Sequence, residues 1–290
     1  MISVPLNKDQ QTPDKAGTRI QKVLSAEGMG SRRTIEAWIK QGRIQINGHV
    51  AQLGARISPH DQILLDNKAL TLAFTRAAAL TEVLLYHKPT GEICSQKDPE
   101  GRPSVFATLP KPKSGRWIMV GRLDFNTSGL LLFTNDGALA NQLMHPRYGF
   151  EREYAVRVLG KISEAQIAEL LQGVMLEDGP ARLQRISYQG GEHANHWYRV
   201  VINEGRNREV RRIFQSLNIS INRLIRIRFG AVTLPKSLKK GAFMLLSSAE
   251  INKLKAPLAG AKGGRDQRKQ SLAYRTPSSF ARERKGDERS

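Results

Sequence analysis

Cysteine is almost missing from this chain of 290 residues, where Cys94 stands alone. One thiol excludes an intrachain disulfide and any cysteine-rich zinc site, and it suits a reducing compartment. Long apolar runs are missing as well: none approaches the ~18 residues that a membrane span requires. The stretch Met1 to Gly17 is polar and lacks the apolar core of a signal peptide. A cytoplasmic protein with no membrane partner is the expectation. Acidic residues are scarce, 26 Asp and Glu against 46 Lys and Arg, leaving a formal net charge of +20. Such an excess favours a polyanionic partner, nucleic acid first and an anionic membrane surface second. What is present in quantity is apolar residue, 40% of the chain, enough for a sizeable core in roughly two domains. A monomer is the default.

Residues 1–17, with Pro13 and Gly17 among polar neighbours, read as a disordered lead. From Thr18 the positions Ile20, Val23 and Leu24 predict a short amphipathic helix. Gly28-Met29-Gly30 ends it, and Ser31 caps a second helix, Arg32 to Lys40, with Ile35, Trp38 and Ile39 on one face. Gln41-Gly42 closes that helix, Ile44 to Ile46 alternates into a strand, and Asn47-Gly48 makes a tight turn. Short strands are expected at Val50 to Leu53 and Ile63 to Leu65. Lys22, Arg32, Arg33, Lys40 and Arg43 lie near helix ends and turns, where they could grip RNA phosphates or form an ordinary solvated basic face. Residues 71–80 read as a linker.

A second unit, 81–255, carries strands near 83–87, 117–123, 130–134, 153–158, 182–188, 196–203 and 221–229. Helices fit near 137–144, 163–171 and 206–216. Adjacent strands with few helical crossovers predict a mostly antiparallel α+β domain. Residues 256–290 are polar and studded with Lys and Arg, so a disordered cationic tail is expected, acting as an RNA tether or as a solubiliser.

Two segments hold the chemistry. Gly121 to Asn135 sets Asp124 between an apolar strand and the turn Asn126 to Gly129, a position both rigid and reachable. Asp124 is therefore the catalytic candidate, although a plain hairpin turn also uses Asp. The rhythm Asp124-x-Asn126-x-Ser128-Gly129 opens like a calcium loop, but its twelfth position is Asn135 rather than a bidentate Glu, and its flanks read as strands. No metal is expected. The run Glu204 to Phe214 enters a helix with four arginines near its start, unfavourable against the helix dipole unless they bind phosphate or pair with a carboxylate such as Asp124. Tyr154, on the alternating strand Glu151 to Val158, reads by itself as a core or interface aromatic.

The helix, Gly-rich turn and helix pattern of Thr18 to Ala69 resembles the S4 RNA-binding module, of the α-L type. The runs Gly121-Arg122-Leu123-Asp124, Asn126 to Leu132, Leu143 to Pro146, Glu151 to Val156 and Glu204 to Arg212 together resemble the pseudouridine synthase family, in the branch that joins an S4 module to the catalytic domain. Over about 18–250, the resemblance implies an S4 domain at 18–70 and a mixed-sheet, mostly antiparallel synthase domain. The implied activity is cofactor-free isomerisation of a uridine in 23S rRNA, at uridine 2605 in conventional rRNA numbering. It implies Asp124 as nucleophile, Tyr154 as the tyrosine that packs on the base and helps remove the C5 proton, and Arg211 as the partner of the catalytic carboxylate. Leu224 would lie beneath the pyrimidine, with Arg122, Arg206 and Arg208 as further substrate contacts. The alternatives are a non-catalytic S4-type RNA-binding or ribosome-assembly factor, and a synthase for a different rRNA position.

Overall fold

The computed structural model describes residues 17–72, 80–96 and 98–260. Nearly all of the expected lead, most of the 71–80 linker and residues 261–290 of the expected tail lie outside them.

The N-terminal unit follows its sequence closely. Helix Ile20–Ala26 packs against helix Arg32–Lys40, whose N-terminus is capped by the Ser31 hydroxyl accepting the Thr34 N–H at 3.0 Å. At the other end Gly42 sits at φ +69°, so the Arg43 N–H reaches the Trp38 carbonyl and the Gly42 N–H reaches Ile39, both at 3.0 Å. That pair of bonds is the Schellman closure, and it needs the left-handed residue that glycine supplies. Ile20, Leu24, Ile35 and Ile39 bury their faces against Ile44, Ile57 and Ile63 of the small sheets. The strand expected at Val50 to Leu53 is only His49–Val50, because Gly54 at φ +88° turns the chain back into Arg56–Ile57, which pairs with Thr18–Arg19.

In the second unit one nine-stranded sheet runs in the order Arg185–Glu192, Asn195–Ile202, Arg152–Leu159, Ile221–Phe229, Ser128–Thr134, Val83–Lys88, Phe243–Leu245. Two short strands sit off this path: Val232–Thr233 on Ile221–Phe229, and Ile118–Val120 on Ser128–Thr134. All pairings are antiparallel except Ser128–Thr134 with Ile221–Phe229. The mostly antiparallel α+β expectation therefore holds.

Every residue of Ser128–Thr134 is buried, since helices or loops cover both faces. Leu131 and Phe133 join a core with Tyr154, Leu224 and the helix residues Val210, Ile213 and Phe214. Leu130 and Leu132 join the opposite core with Leu139, Leu143, Ile251 and Leu254. Ser128 and Gly129, expected in the preceding turn, belong instead to this strand. They are already paired with Ile225 and Arg226.

Three further boundaries differ. The strand expected at 182–188 lies at Arg185–Glu192, because Val174–Leu176 and Gly179–Ala181 form their own hairpin ahead of it. The helix expected from 206 begins at Glu209, since Arg208 at φ +47° is left-handed and breaks the helical path before it. Residues 256–260, expected to open the tail, are helical instead, because helix Ser248–Gly260 continues through Pro257 with Ile251, Leu254 and Leu258 buried. Among the described residues no helix is long and apolar enough to cross a membrane.

Gly129 is the tightest point of the sheet. Its φ is +112°, and a Cβ there would run into the backbone O and N of Arg226. Gly129→Ala should lower stability by at least ~2 kcal/mol, since the obstacle is backbone and cannot rotate away; a thermal melt matching the parent protein would refute this.

Candidate active site

The turn Asp124 to Thr127 links a loop to the buried strand Ser128–Thr134, and each of its four carbonyls has a donor. The Asp124 carbonyl accepts the Thr127 N–H at 3.0 Å and the Lys88 ammonium at 3.2 Å. The Phe125 carbonyl accepts the Gly91 N–H at 3.0 Å. The Asn126 carbonyl accepts Arg211 Nη2 at 2.9 Å, and the Thr127 carbonyl accepts Lys88 Nζ at 3.0 Å. Lys88 is wholly buried at the end of Val83–Lys88 and also donates to the Pro89 carbonyl at 2.9 Å. Burial pushes its ammonium below the usual lysine range, while the charges of Cys94, Glu92 and Asp124 act in the opposite direction. Sequence reasoning missed Lys88. The available signal was a charged residue closing an otherwise apolar strand, a position where an unpaired lysine is seldom buried.

With its backbone held in this way, the half-buried Asp124 carboxylate has no hydrogen bond or ion pair among the described residues. It lines a cavity of about 820 Å³ together with Tyr154 and Leu224, a size suited to a nucleoside-sized group. Tyr154 and Leu224 are 7% and 5% exposed and lie on one face of paired strands, in the register Val156↔Leu224 and Tyr154↔Arg226. A carboxylate, a phenol and an aliphatic side chain thus converge on one apolar-walled space.

The expected Arg211–Asp124 ion pair is not formed. Arg211 instead spends Nη2 on the Asn126 carbonyl and Nη1 on the Ile221 carbonyl at 3.2 Å, while its Nε is buried without a partner. Burial depresses the Arg211 guanidinium, the Arg208 charge adds to this, and Asp124 opposes it. The two residues therefore share a neighbourhood, but the arginine grips the turn and leaves the acid unpaired.

Arg122, Arg206 and Arg208 also line the cavity. Arg122 and Arg208 are exposed, whereas Arg206 is committed elsewhere. It bonds Glu204 at 2.7 Å, Asp178 at 3.5 Å and the Pro180 carbonyl at 2.7 Å, fastening the 174–181 hairpin beside the helix Glu209–Gln215. Arg212 grips the same Asp178 at 2.8 Å. Two of the four arginines near this helix thus serve the local fold. Lys22, Arg32, Arg33, Lys40 and Arg43 are all exposed on the N-terminal unit, though Arg43 is paired with Asp66 at 2.6 Å and lies over Trp38.

Glu209, also unforeseen, is a buried acid in the cavity wall whose Oε2 accepts the Arg206 N–H at 3.0 Å. Burial raises its carboxyl above the ordinary range, and the Arg206 N–H opposes the shift.

Comparisons with known proteins give the family of the chain. The family model for RNA pseudouridylate synthase matches residues 82–216, and the S4 domain model matches 18–63. The chain belongs to the pseudouridine synthase family, in the branch that carries an S4 domain. Curated relatives named "Ribosomal large subunit pseudouridine synthase B" are 52% identical in Pseudomonas aeruginosa, 51% in Yersinia pestis and 50% in Escherichia coli O6:H1. These alignments take in 81%, 82% and 82% of this chain, and 61%, 76% and 82% of the respective relatives. The crystal structure of a pseudouridylate synthase matches with a TM-score of 0.57 and 28% identity, over 82% of this chain and 100% of that one.

Two predictions follow from the wiring of the site. Lys88→Met strips a shared donor from the carbonyls of Asp124 and Thr127, so stability should fall by ~1–3 kcal/mol, read as a lowered Tm. For Glu209 the folded pKa lies above the unfolded one, so its favourable contribution is complete below the ordinary carboxylate range and is lost as pH rises through the raised value. Glu209→Gln keeps the acceptor and removes the charge, and its Tm relative to the parent should be higher at pH 7.5 than at pH 4.5. A pH-independent difference would contradict the sign.

Proposed function

We propose that this protein converts one uridine of large-subunit ribosomal RNA to pseudouridine, with Asp124 as the nucleophile. The observation that carries the reading is the Asp124 turn: its backbone is fixed by donors on every carbonyl, while its carboxylate is unpaired and opens into a cavity walled by Tyr154 and Leu224. The names of the relatives support ribosomal RNA of the large subunit as substrate, and uridine 2605 of 23S rRNA is the position we assign.

The reaction exchanges the N1–C1′ bond for a C5–C1′ bond, so it is redox-neutral and needs no metal or cofactor. Asp124 drives N1–C1′ cleavage, through a covalent adduct or by stabilising the departing base's partner. The detached uracil is held between Tyr154 and Leu224 while it turns to present C5. Once C5–C1′ has formed, the C5 proton leaves with help from Tyr154, and N1 takes up a proton. Arg211 keeps the turn in place through the Asn126 carbonyl.

The uridine must leave its stack to enter the cavity, at a cost of a few kcal/mol that phosphate contacts can offset. The division of labour is an S4 domain over 18–70 that grips folded RNA through Lys22, Arg32, Arg33, Lys40 and Arg43, a catalytic domain from residue 81, and a basic C-terminal segment that adds salt-dependent affinity. The protein works as a cytoplasmic monomer.

Asp124→Asn should cut pseudouridine formation by at least ~10³-fold while leaving RNA affinity largely intact. Unchanged turnover would return the protein to the class of non-catalytic RNA-binding or assembly factors. Pseudouridine mapping of rRNA from cells lacking this protein identifies the position. Deleting residues 261–290 should weaken RNA binding and flatten its salt dependence; an unaltered slope would leave that segment as a solubiliser.

A further inference from the structure

The cavity wall next to the tyrosine carries two guanidinium groups, those of Arg152 and Arg226. Arg226 is 2% exposed; its Nε donates to the Leu130 carbonyl at 2.7 Å, and its Nη2 is buried without a partner. Arg152 gives Nη1 to the carbonyls of Phe150 and Asn203, at 2.8 and 3.0 Å. Neither takes part in a salt bridge among the described residues. Both lie over one ring, Phe229, with guanidinium carbons 5.1 and 5.6 Å from its centroid. Register brings them to the tyrosine, since Arg226 is paired directly with Tyr154 and Arg152 stands two residues before it on the same strand. All three line the same cavity as Asp124.

Carbonyl groups satisfy some of these donors but do not balance the charge. An isolated charge out of water costs several kcal/mol unless it is paired. The fully buried acid in the wall is Glu209, whose carboxylate already accepts the Arg206 N–H and whose burial favours its neutral form. Burial likewise depresses the Arg152 guanidinium and the neighbouring Arg226 charge adds to this, while the charges of Tyr154, Glu209 and Glu204 act in the opposite direction without forming a salt bridge to it. A Cβ on Gly205 would come within 3.2 Å of Arg152 Nε, so glycine at that position leaves the guanidinium uncrowded.

An occupant that reduces this imbalance and meets both guanidinium groups is an anion with two equivalent oxygens. A phosphodiester presents such a pair to a guanidinium fork. A uracil carbonyl would satisfy donors and leave both charges unbalanced. We propose that Arg152 and Arg226 form a phosphate subsite inside the cavity, which takes a backbone phosphate flanking the extruded nucleotide. The subsite rests on the reading of the cavity as the uridine-isomerising site. It differs from the exposed Arg122 and Arg208 in lying beside the base pocket, so part of the cost of extrusion is recovered where the base comes to rest.

The first test needs no RNA. Inorganic phosphate should raise the Tm of the full chain above that in NaCl of equal ionic strength, and the increment should vanish in Arg152→Met and in Arg226→Met. Should Arg226→Met fail to fold, Arg152→Met, whose side chain is less buried, carries the comparison. The second test uses oligoribonucleotides with a neutral methylphosphonate on the 5′ or the 3′ side of the target uridine. At one of these positions the parent protein should lose about tenfold in affinity, the size of a lost charge-assisted contact, and Arg152→Met should lose nothing further. A phosphate increment that survives both substitutions, or methylphosphonate losses equal in parent and variant, overturns the subsite and leaves an adventitious ion only. If the chain proves inactive on uridine while the phosphate increment still tracks Arg152 and Arg226, the isomerase reading fails and the anion site stands.

Discussion

The close approach of Gly129 to the backbone of Arg226 holds the two halves of the large sheet together. Strand Ser128–Thr134 pairs one edge with Val83–Lys88 from Gly129 to Thr134, and it divides the other between Ile221–Phe229 at its start and Ile118–Val120 at its end. That divided edge contains the single parallel pairing of the sheet. It is possible because residue 129 has no side chain and tolerates φ +112°. Fixing this junction places the turn just before Ser128, and hence Asp124, over the face that carries Tyr154 and Leu224. Any relaxation of the junction would move the carboxylate relative to the base pocket, and catalytic groups lose efficiency steeply when displaced by about 1 Å.

Around that junction cations act on backbone carbonyls. Lys88 and Arg211 hold the carbonyls of the Asp124 turn, and Arg226 holds the Leu130 carbonyl one residue beyond Gly129. Hydrogen bonds from charged donors are about twice as strong as neutral ones and fix geometry without consuming the acid. The outcome is a rigid backbone, a carboxylate unpaired among the described residues, and a positive surround suited to RNA phosphate. Buried arginines that would be a liability in a plain core are intelligible here, because the polyanion that balances them arrives with the substrate.

Much of the architecture was legible from local patterns. Ser31, Gly42 and Asn47-Gly48 punctuate the N-terminal unit through short-range hydrogen bonding, so its elements could be placed almost to the residue. Strand Ile221–Phe229 and helix Gly137–Met144 were equally readable from composition and periodicity. Helix Ser248–Gly260 was hidden, although Ile251, Leu254 and Leu258 have helical spacing, because Pro257 and the surrounding polar residues read as the start of the tail. The hairpin at 174–181 was hidden for a different reason: it is fastened by Arg206 and Arg212 to Asp178, partners separated by 28 and 34 positions. In the site, Asp124, Tyr154 and Leu224 are brought together as the sequence motifs implied, whereas Arg211 holds the turn rather than the acid.

By itself the sequence determined the basic character of the protein, its two units, the caps and turns of the smaller one, and the family to which its motifs belong. All of these depend on composition or on residues a few positions apart. The tertiary structure alone decided which cation meets which oxygen: Lys88 on the Asp124 turn, Arg211 on Asn126, Arg206 on the hairpin, and Arg152 and Arg226 left without a salt bridge among the described residues. An arginine reads the same in a sequence whether it binds substrate, a carbonyl or an acid. Only the sheet register and the burial it imposes choose among those partners, because burial sets the cost of leaving a charge unpaired.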